Sequence, residues 1–223
     1  MMKRIAWLSA AGLLVFASAG FAQYTMDLTG VGDGVVADGV YVSPYQGTIS
    51  ENNQQIYSGY MICDDFNTES TLNDPWSATA TSAANLNGTE KFTATSTGYT
   101  VQQNYDAVAW LANQLLLASN VDNATAQVNY SFAIWDIFDG QTTNPDGNSL
   151  SLITEAFTEV LGGYTANNVT VFTPSPTTAS QEFLVINGPA ISTPEPSSAA
   201  LLGVDLLAAV GVLFFLRRRF ART

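Results

Sequence analysis

The chain has 223 residues, no histidine and a single cysteine. The missing histidine excludes Ser-His-Asp and Cys-His catalysis and histidine-ligated zinc or iron. The lone Cys63 excludes an intramolecular disulfide and multi-cysteine metal sites. The formal net charge of −12 is unevenly placed. Of seven Lys and Arg, two lie at the head and four follow an apolar run near the other end, leaving Lys91 alone between them. Seventeen of the nineteen acids fall in that middle part, which therefore carries a net charge of −16. Such a surface repels phosphates, so nucleic acid is not an expected partner. Carboxylate chemistry, a lone thiol or no catalysis is what remains, and no cofactor is expected.

The head reads as a secretory signal peptide, residues 1–22. Lys3 and Arg4 precede an apolar stretch from Ile5 to Phe16, and Gly20-Phe21-Ala22 sets small residues before a cut ahead of Gln23. Residues 23–192 then form one acidic domain, long enough to bury a core without disulfides or metals.

Tyr24 to about Asp65 reads as strands. Asp33-Gly34 and Asp38-Gly39 are turn signals, and Gln55 to Cys63 is rich in β-formers. Asn67 to Gly98, dominated by Ser, Thr, Asn and Ala, predicts short strands or an irregular excursion. Asn104–Asn120 spaces Tyr105, Val108, Leu111 and Leu115 for one buried helical face. Asp122–Asp139 is a second helix, capped by Asp122 or Asn123 and stopped by Gly140. Asn148–Leu161 is a third, with Ser149 or Ser151 as cap and Gly162-Gly163 as stop. Val169–Phe172 and Glu182–Ile186 close as strands. Strands, then helices, then strands predict an α+β fold: a single antiparallel, β-rich ectodomain with about three helices.

Several weaker constellations accompany these elements. Asp64 and Asp65 end a strand, where strict alternation relaxes and both could face one cation. Asp139, Asn144 and Asp146 offer oxygen ligands of the type calcium takes, although turn chemistry explains the Asp-Gly pairs equally well and the EF-hand spacing is not met. Trp76 and Tyr99 are aromatics in the polar excursion that could stack on a sugar, local packing being the plainer reading.

The tail is the most specific segment. Thr193-Pro194-Glu195-Pro196-Ser197 is followed by an apolar run over 198–216, then by Arg217, Arg218, Arg219 and Arg222. As a helix the run is roughly 28 Å long, enough to cross a hydrocarbon core of about 30 Å. The basic cluster places the end of the chain in the cytoplasm and everything before Pro194 outside. Pro194-Glu195-Pro196, one span and an Arg cluster resemble the PEP-CTERM sorting signal of Gram-negative bacteria. The resemblance implies processing by an exosortase-type enzyme and export often coupled to exopolysaccharide. Asp205 departs from the usual uncharged span.

A second resemblance rests on Ile62-Cys63-Asp64-Asp65-Phe66 and a helical Ala133-Ile134-Trp135. Together they resemble the thioester domains of bacterial surface adhesins. In that family the cysteine bonds a glutamine four residues before the tryptophan. Here that position is Ser131, which has no amide carbonyl. Gln127 lies one turn earlier and would need a shifted helix to reach Cys63.

The sequence thus predicts an exported surface or extracellular-matrix protein without enzymatic activity. It is anchored first in the inner membrane, then placed at the cell surface, in the outer envelope or outside the cell. Its ectodomain is read as structural or adhesive, with extracellular polysaccharide as one candidate ligand. The alternatives are a covalent thioester-type adhesin using Cys63, or a carboxylate-dependent polysaccharide hydrolase.

Overall fold

The computed structural model describes residues 23–94, 98–117, 119–140, 148–189 and 191. The predicted signal peptide, the Pro194-Glu195-Pro196 motif, the apolar run over 198–216 and Arg217–Arg219 lie outside these residues, as do Asn144 and Asp146. Among the described residues no helix is long and apolar enough to cross a membrane. Ala22–Ser192 forms one compact unit.

The domain is β-rich and antiparallel, with three helices among the described residues. Six strands close into a barrel: β1 (Tyr24–Gly30), β4 (Tyr45–Glu51), β5 (Gln54–Cys63), β6 (Trp76–Ser82), β7 (Val169–Pro174) and β8 (Phe183–Ile186), in the order β1-β4-β5-β8-β7-β6. Every neighbouring pair is antiparallel. Closure removes the exposed sheet edges that would otherwise invite association. Alternate residues of β1 and β4, Tyr24, Met26 and Leu28 with Tyr45 and Ile49, are buried, as the period of two in a strand requires.

A small hairpin, β2 (Val36–Ala37) and β3 (Val40–Tyr41), lies outside the barrel sheet. Asp38 and Gly39 between them take positive φ values of 50° and 81°, the geometry that makes Asp-Gly a hairpin turn. Asn52 and Asn53, at 52° and 64°, do the same between β4 and β5.

The helices α1 (Val101–Leu115), α2 (Ala124–Asp139) and α3 (Ser149–Leu161) occupy the stretch between β6 and β7. They pack on one another, and α1 also meets β8. The sequence spacing predicts one buried face for α1. The structure buries residues 104–112 without a break, because α2, α3 and β8 all pack against this helix. Its N-terminus carries a capping box. The Thr100 side chain accepts from the Gln103 amide, and the Gln103 side chain accepts from the Thr100 amide. Asn123 caps α2 by accepting from the Ala126 amide at 3.2 Å. At α3 the expected serine caps are not used. Asn148 stands in the cap position and makes no side-chain cap bond.

The two caps therefore differ in energy. Thr100→Ala is expected to cost about 1 kcal/mol in urea unfolding, within the roughly 0.5–2 kcal/mol of a bonded cap. Asn148→Ala should change stability by no more than about 0.5 kcal/mol, as surface substitutions away from such features do. Equal losses at the two positions would contradict this account of the helix starts.

Candidate functional site

β5 ends at Cys63, which is fully buried. The Cys63 amide donates to Ser43 Oγ at 3.0 Å, and the Ser43 amide donates to Ser131 Oγ at 3.0 Å. Trp135 Nε1 donates to the Cys63 carbonyl at 3.0 Å. Ser131 and Trp135 are four residues apart, so they share one face of α2. Through them the helix is fastened to the end of the strand. Cys63, Ser131 and Trp135 therefore meet in space, with Ser43 between the first two.

The arrangement holds Cys63 by both its amide and its carbonyl. Burial pushes its thiol well above the ordinary value, and the Asp64 and Asp65 carboxyls push the same way. The thiol donates to the Asp65 carbonyl at 3.2 Å. A neutral, buried thiol is a poor nucleophile and a poor metal ligand. Ser131 supplies a hydroxyl acceptor where a thioester would require an amide carbonyl. Gln127 is committed elsewhere: its amide donates to Asp33 Oδ2 at 2.8 Å and to the Val121 carbonyl at 2.5 Å. It ties the start of α2 to the loop before β2.

Beneath Cys63 lies a set of buried acids. Glu182, just before β8, accepts from Tyr105 Oη at 2.6 Å, from the Lys91 amide at 2.9 Å and from Thr173 Oγ1. Asp64 is fully buried, and no donor among the described residues reaches either of its oxygens. The group it faces is the Glu182 carboxylate. Burial first, then the charge of Glu182, holds the Asp64 carboxyl well above the usual range. Burial raises the Glu182 carboxyl as well, so the charged form of each acid is disfavoured where they face one another. Asp65 forms an ion pair with Lys91, and its Oδ1 accepts from the Thr68 amide at 3.2 Å. The two adjacent acids thus meet different partners.

Asp139 accepts from the Phe66 amide and from Asn67 Nδ2, each at 2.8 Å. It braces the turn that follows Asp65. Among the described residues no group of three His, Cys, Asp or Glu is placed to hold a metal.

Above this buried layer is a cleft of about 310 Å³, at the small end of the range for ligand sites, about 300–1,000 Å³. Tyr41, Tyr45, Phe66 and Trp135 line it together with Leu72, Thr68 and Glu69. Phe66 packs on Trp135 at 5.3 Å between ring centroids, which fixes the floor. Tyr45 Oη donates to the Tyr41 carbonyl at 2.6 Å, which fixes one wall. Tyr41 is 48 % exposed and Leu72 41 % exposed.

The aromatics singled out in the sequence lie elsewhere. Trp76 is buried against Phe183, with centroids 5.8 Å apart. Tyr99 stacks on Phe157 at 3.8 Å. Both serve internal packing, which leaves Tyr41 as the ring presented at the cleft. Sequence reading missed Ser43, Glu182 and the cleft itself. An isolated acid opening the apolar run Glu182-Phe183-Leu184-Val185-Ile186 was the available signal for the second of these.

No family model matches the chain, and no curated protein matches it in sequence. Solved structures to which the chain is similar include two domains of bacterial surface proteins. One is the N-terminal domain of the Streptococcus pyogenes pilus tip adhesin Cpa, at 13 % identity and a TM-score of 0.43, covering 76 % of this chain and 95 % of that one. The other is the N-terminal thioester domain of a surface protein from Clostridium perfringens, at 10 % identity and 0.45, covering 75 % and 99 %.

The raised Asp64 carboxyl gives the domain a pH response. Asp64 titrates higher in the folded chain than in the unfolded one, so its contribution is complete below the ordinary carboxylate range. That contribution is lost as pH rises through the folded value, by up to about 1.4 kcal/mol per pH unit for one proton. Asp64→Asn keeps a neutral donor toward Glu182. Urea unfolding between pH 4 and pH 8 should show a shallower decline for this variant than for the parent chain. Parallel curves would remove Asp64 from the pH response.

Proposed function

We propose that this is an exported surface or extracellular-matrix protein whose ectodomain binds a glycan non-covalently in the cleft between Tyr41 and Trp135. The chemistry of that cleft carries the reading. A half-exposed tyrosine ring offers a face to the apolar side of a sugar. Thr68 and Glu69 offer oxygens to its hydroxyls. A neutral polymer suits the strongly acidic ectodomain better than an anionic one, because like charges repel.

A non-enzymatic role is part of the proposal. Among the described residues lining the cleft, Glu69 is the sole carboxylate. Glycoside hydrolysis uses a pair at roughly 5–9.5 Å. Asp64 and Glu182 are buried and do not line the cleft. The covalent adhesin loses ground because Cys63 is buried and Ser131 stands where an amide would be needed.

The Pro194-Glu195-Pro196 motif, the apolar run and Arg217–Arg219 support handling by an exosortase-type enzyme. The chain would be held first at the inner membrane through that run, then placed at the surface, in the outer envelope or outside the cell. Mass spectrometry of the protein from its own cells should then find a C-terminus near Pro194.

Affinity electrophoresis in gels cast with neutral polysaccharides tests the cleft. Mobility is expected to fall as polysaccharide is added, with no shortening of the polymer. Tyr41→Ala should weaken the apparent affinity about tenfold or more, equivalent to about 1.4 kcal/mol. Cys63→Ala should bind like the parent chain. Binding that survives Tyr41→Ala and vanishes with Cys63→Ala would refute the non-covalent reading.

A further inference from the structure

We propose that Lys91 and Asp65 are joined by an intramolecular amide bond, a self-made cross-link between the turn after β5 and the segment that leads toward α1. Lys91 is the one Lys or Arg between residues 23 and 192, and its Nζ lies in contact with Asp65 Oδ2. The Asp65 side chain is 1 % exposed and that of Lys91 16 %. A charged pair that far from water recovers little of its desolvation cost. Condensation replaces both charges with one neutral amide.

The surroundings are built for that step. The Lys91 amide is held by Glu182 and the next amide, Phe92, by Tyr105 Oη. The Asp65 carbonyl is held by Gln181 Nε2 at 2.7 Å. Both reacting side chains are thus anchored at their backbones, which supplies the high effective concentration of a positioned pair. The Thr68 amide points at Asp65 Oδ1 at 3.2 Å, where negative charge gathers when the carboxyl carbon becomes tetrahedral. Asp139 lies within electrostatic reach of both partners.

The chemistry balances without a co-reactant. A proton passes from the ammonium to the Asp65 carboxylate, which leaves a neutral amine beside a carboxylic acid. The neutral Nζ attacks Cγ, and the N–C bond forms. The Cγ–Oδ2 bond breaks, and Oδ2 leaves as water with one proton from the carboxyl and one from the amine. In a chain with one cysteine, this is a covalent fastening that needs no disulfide.

The test is a peptide map of the full chain digested with chymotrypsin under denaturing conditions. The expected result is a branched peptide joining the Asp65 and Lys91 segments, one water lighter than the two together. The Lys91 amine should also fail to react with an acylating reagent after unfolding. Lys91→Arg preserves the ion pair but not the reaction, and should give linear peptides with the water regained. Linear peptides and a fully acylated Lys91 from the parent chain would overturn the proposal, and that readout stands even if the variant does not fold.

Discussion

The amide of Cys63 donates to Ser43, the amide of Ser43 donates to Ser131, and the indole of Trp135 returns to the Cys63 carbonyl. These three hydrogen bonds close a circuit through β5, the chain ahead of β4 and α2. Each is buried, where an unmade partner costs about 1–3 kcal/mol. Removing any one member leaves a stranded donor or acceptor, so the circuit fixes the position of α2 against the barrel. The cleft depends on that position, because Trp135 belongs both to the circuit and to the cleft floor.

In the same circuit Cys63 takes part through its backbone, and it is buried rather than among the residues that line the cleft. Its backbone does the work, and its side chain fills space like other small buried hydrophobes. Below it, Asp64 and Glu182 occupy a volume that an apolar pair could fill. Glu182 gathers donors from Tyr105, Thr173 and Lys91, which brings α1, β7 and the segment before α1 to one point beside β8. A buried acid pair of this kind holds elements in a defined relation, and burial disfavours the charged form of both carboxyls.

Much of this architecture was legible in the residues. The order of strands, helices and strands follows from periodicity, and Asn123 and Gly140 mark the bounds of α2 as their cap chemistry requires. Asp38-Gly39 announces its hairpin. Barrel closure was not legible, because the pairing of β1 with β6 and of β5 with β8 is a long-range choice that no local pattern encodes. The strand at Trp76–Ser82 was hidden by its Ser, Thr and Ala content, since its inward residues, Trp76 and Ala78, alternate with small polar ones. At the site, Cys63, Ser131 and Trp135 could be picked out by spacing. Ser43 could not, because its role arises from a backbone amide and a hydroxyl bridging partners far apart in sequence. The cleft was likewise invisible. Tyr41, on a two-residue strand, gains its meaning from Trp135 and Phe66 alongside it.

The central claim is that Cys63 is a structural joint, and thiol counting tests it most directly. The native protein should present no thiol to a maleimide, and the urea-unfolded protein should present one per chain. Methylamine treatment before unfolding should leave that count and the mass unchanged. An unfolded chain that lacks the thiol until methylamine releases it, with one amine added to the mass, would show an internal thioester and contradict the account.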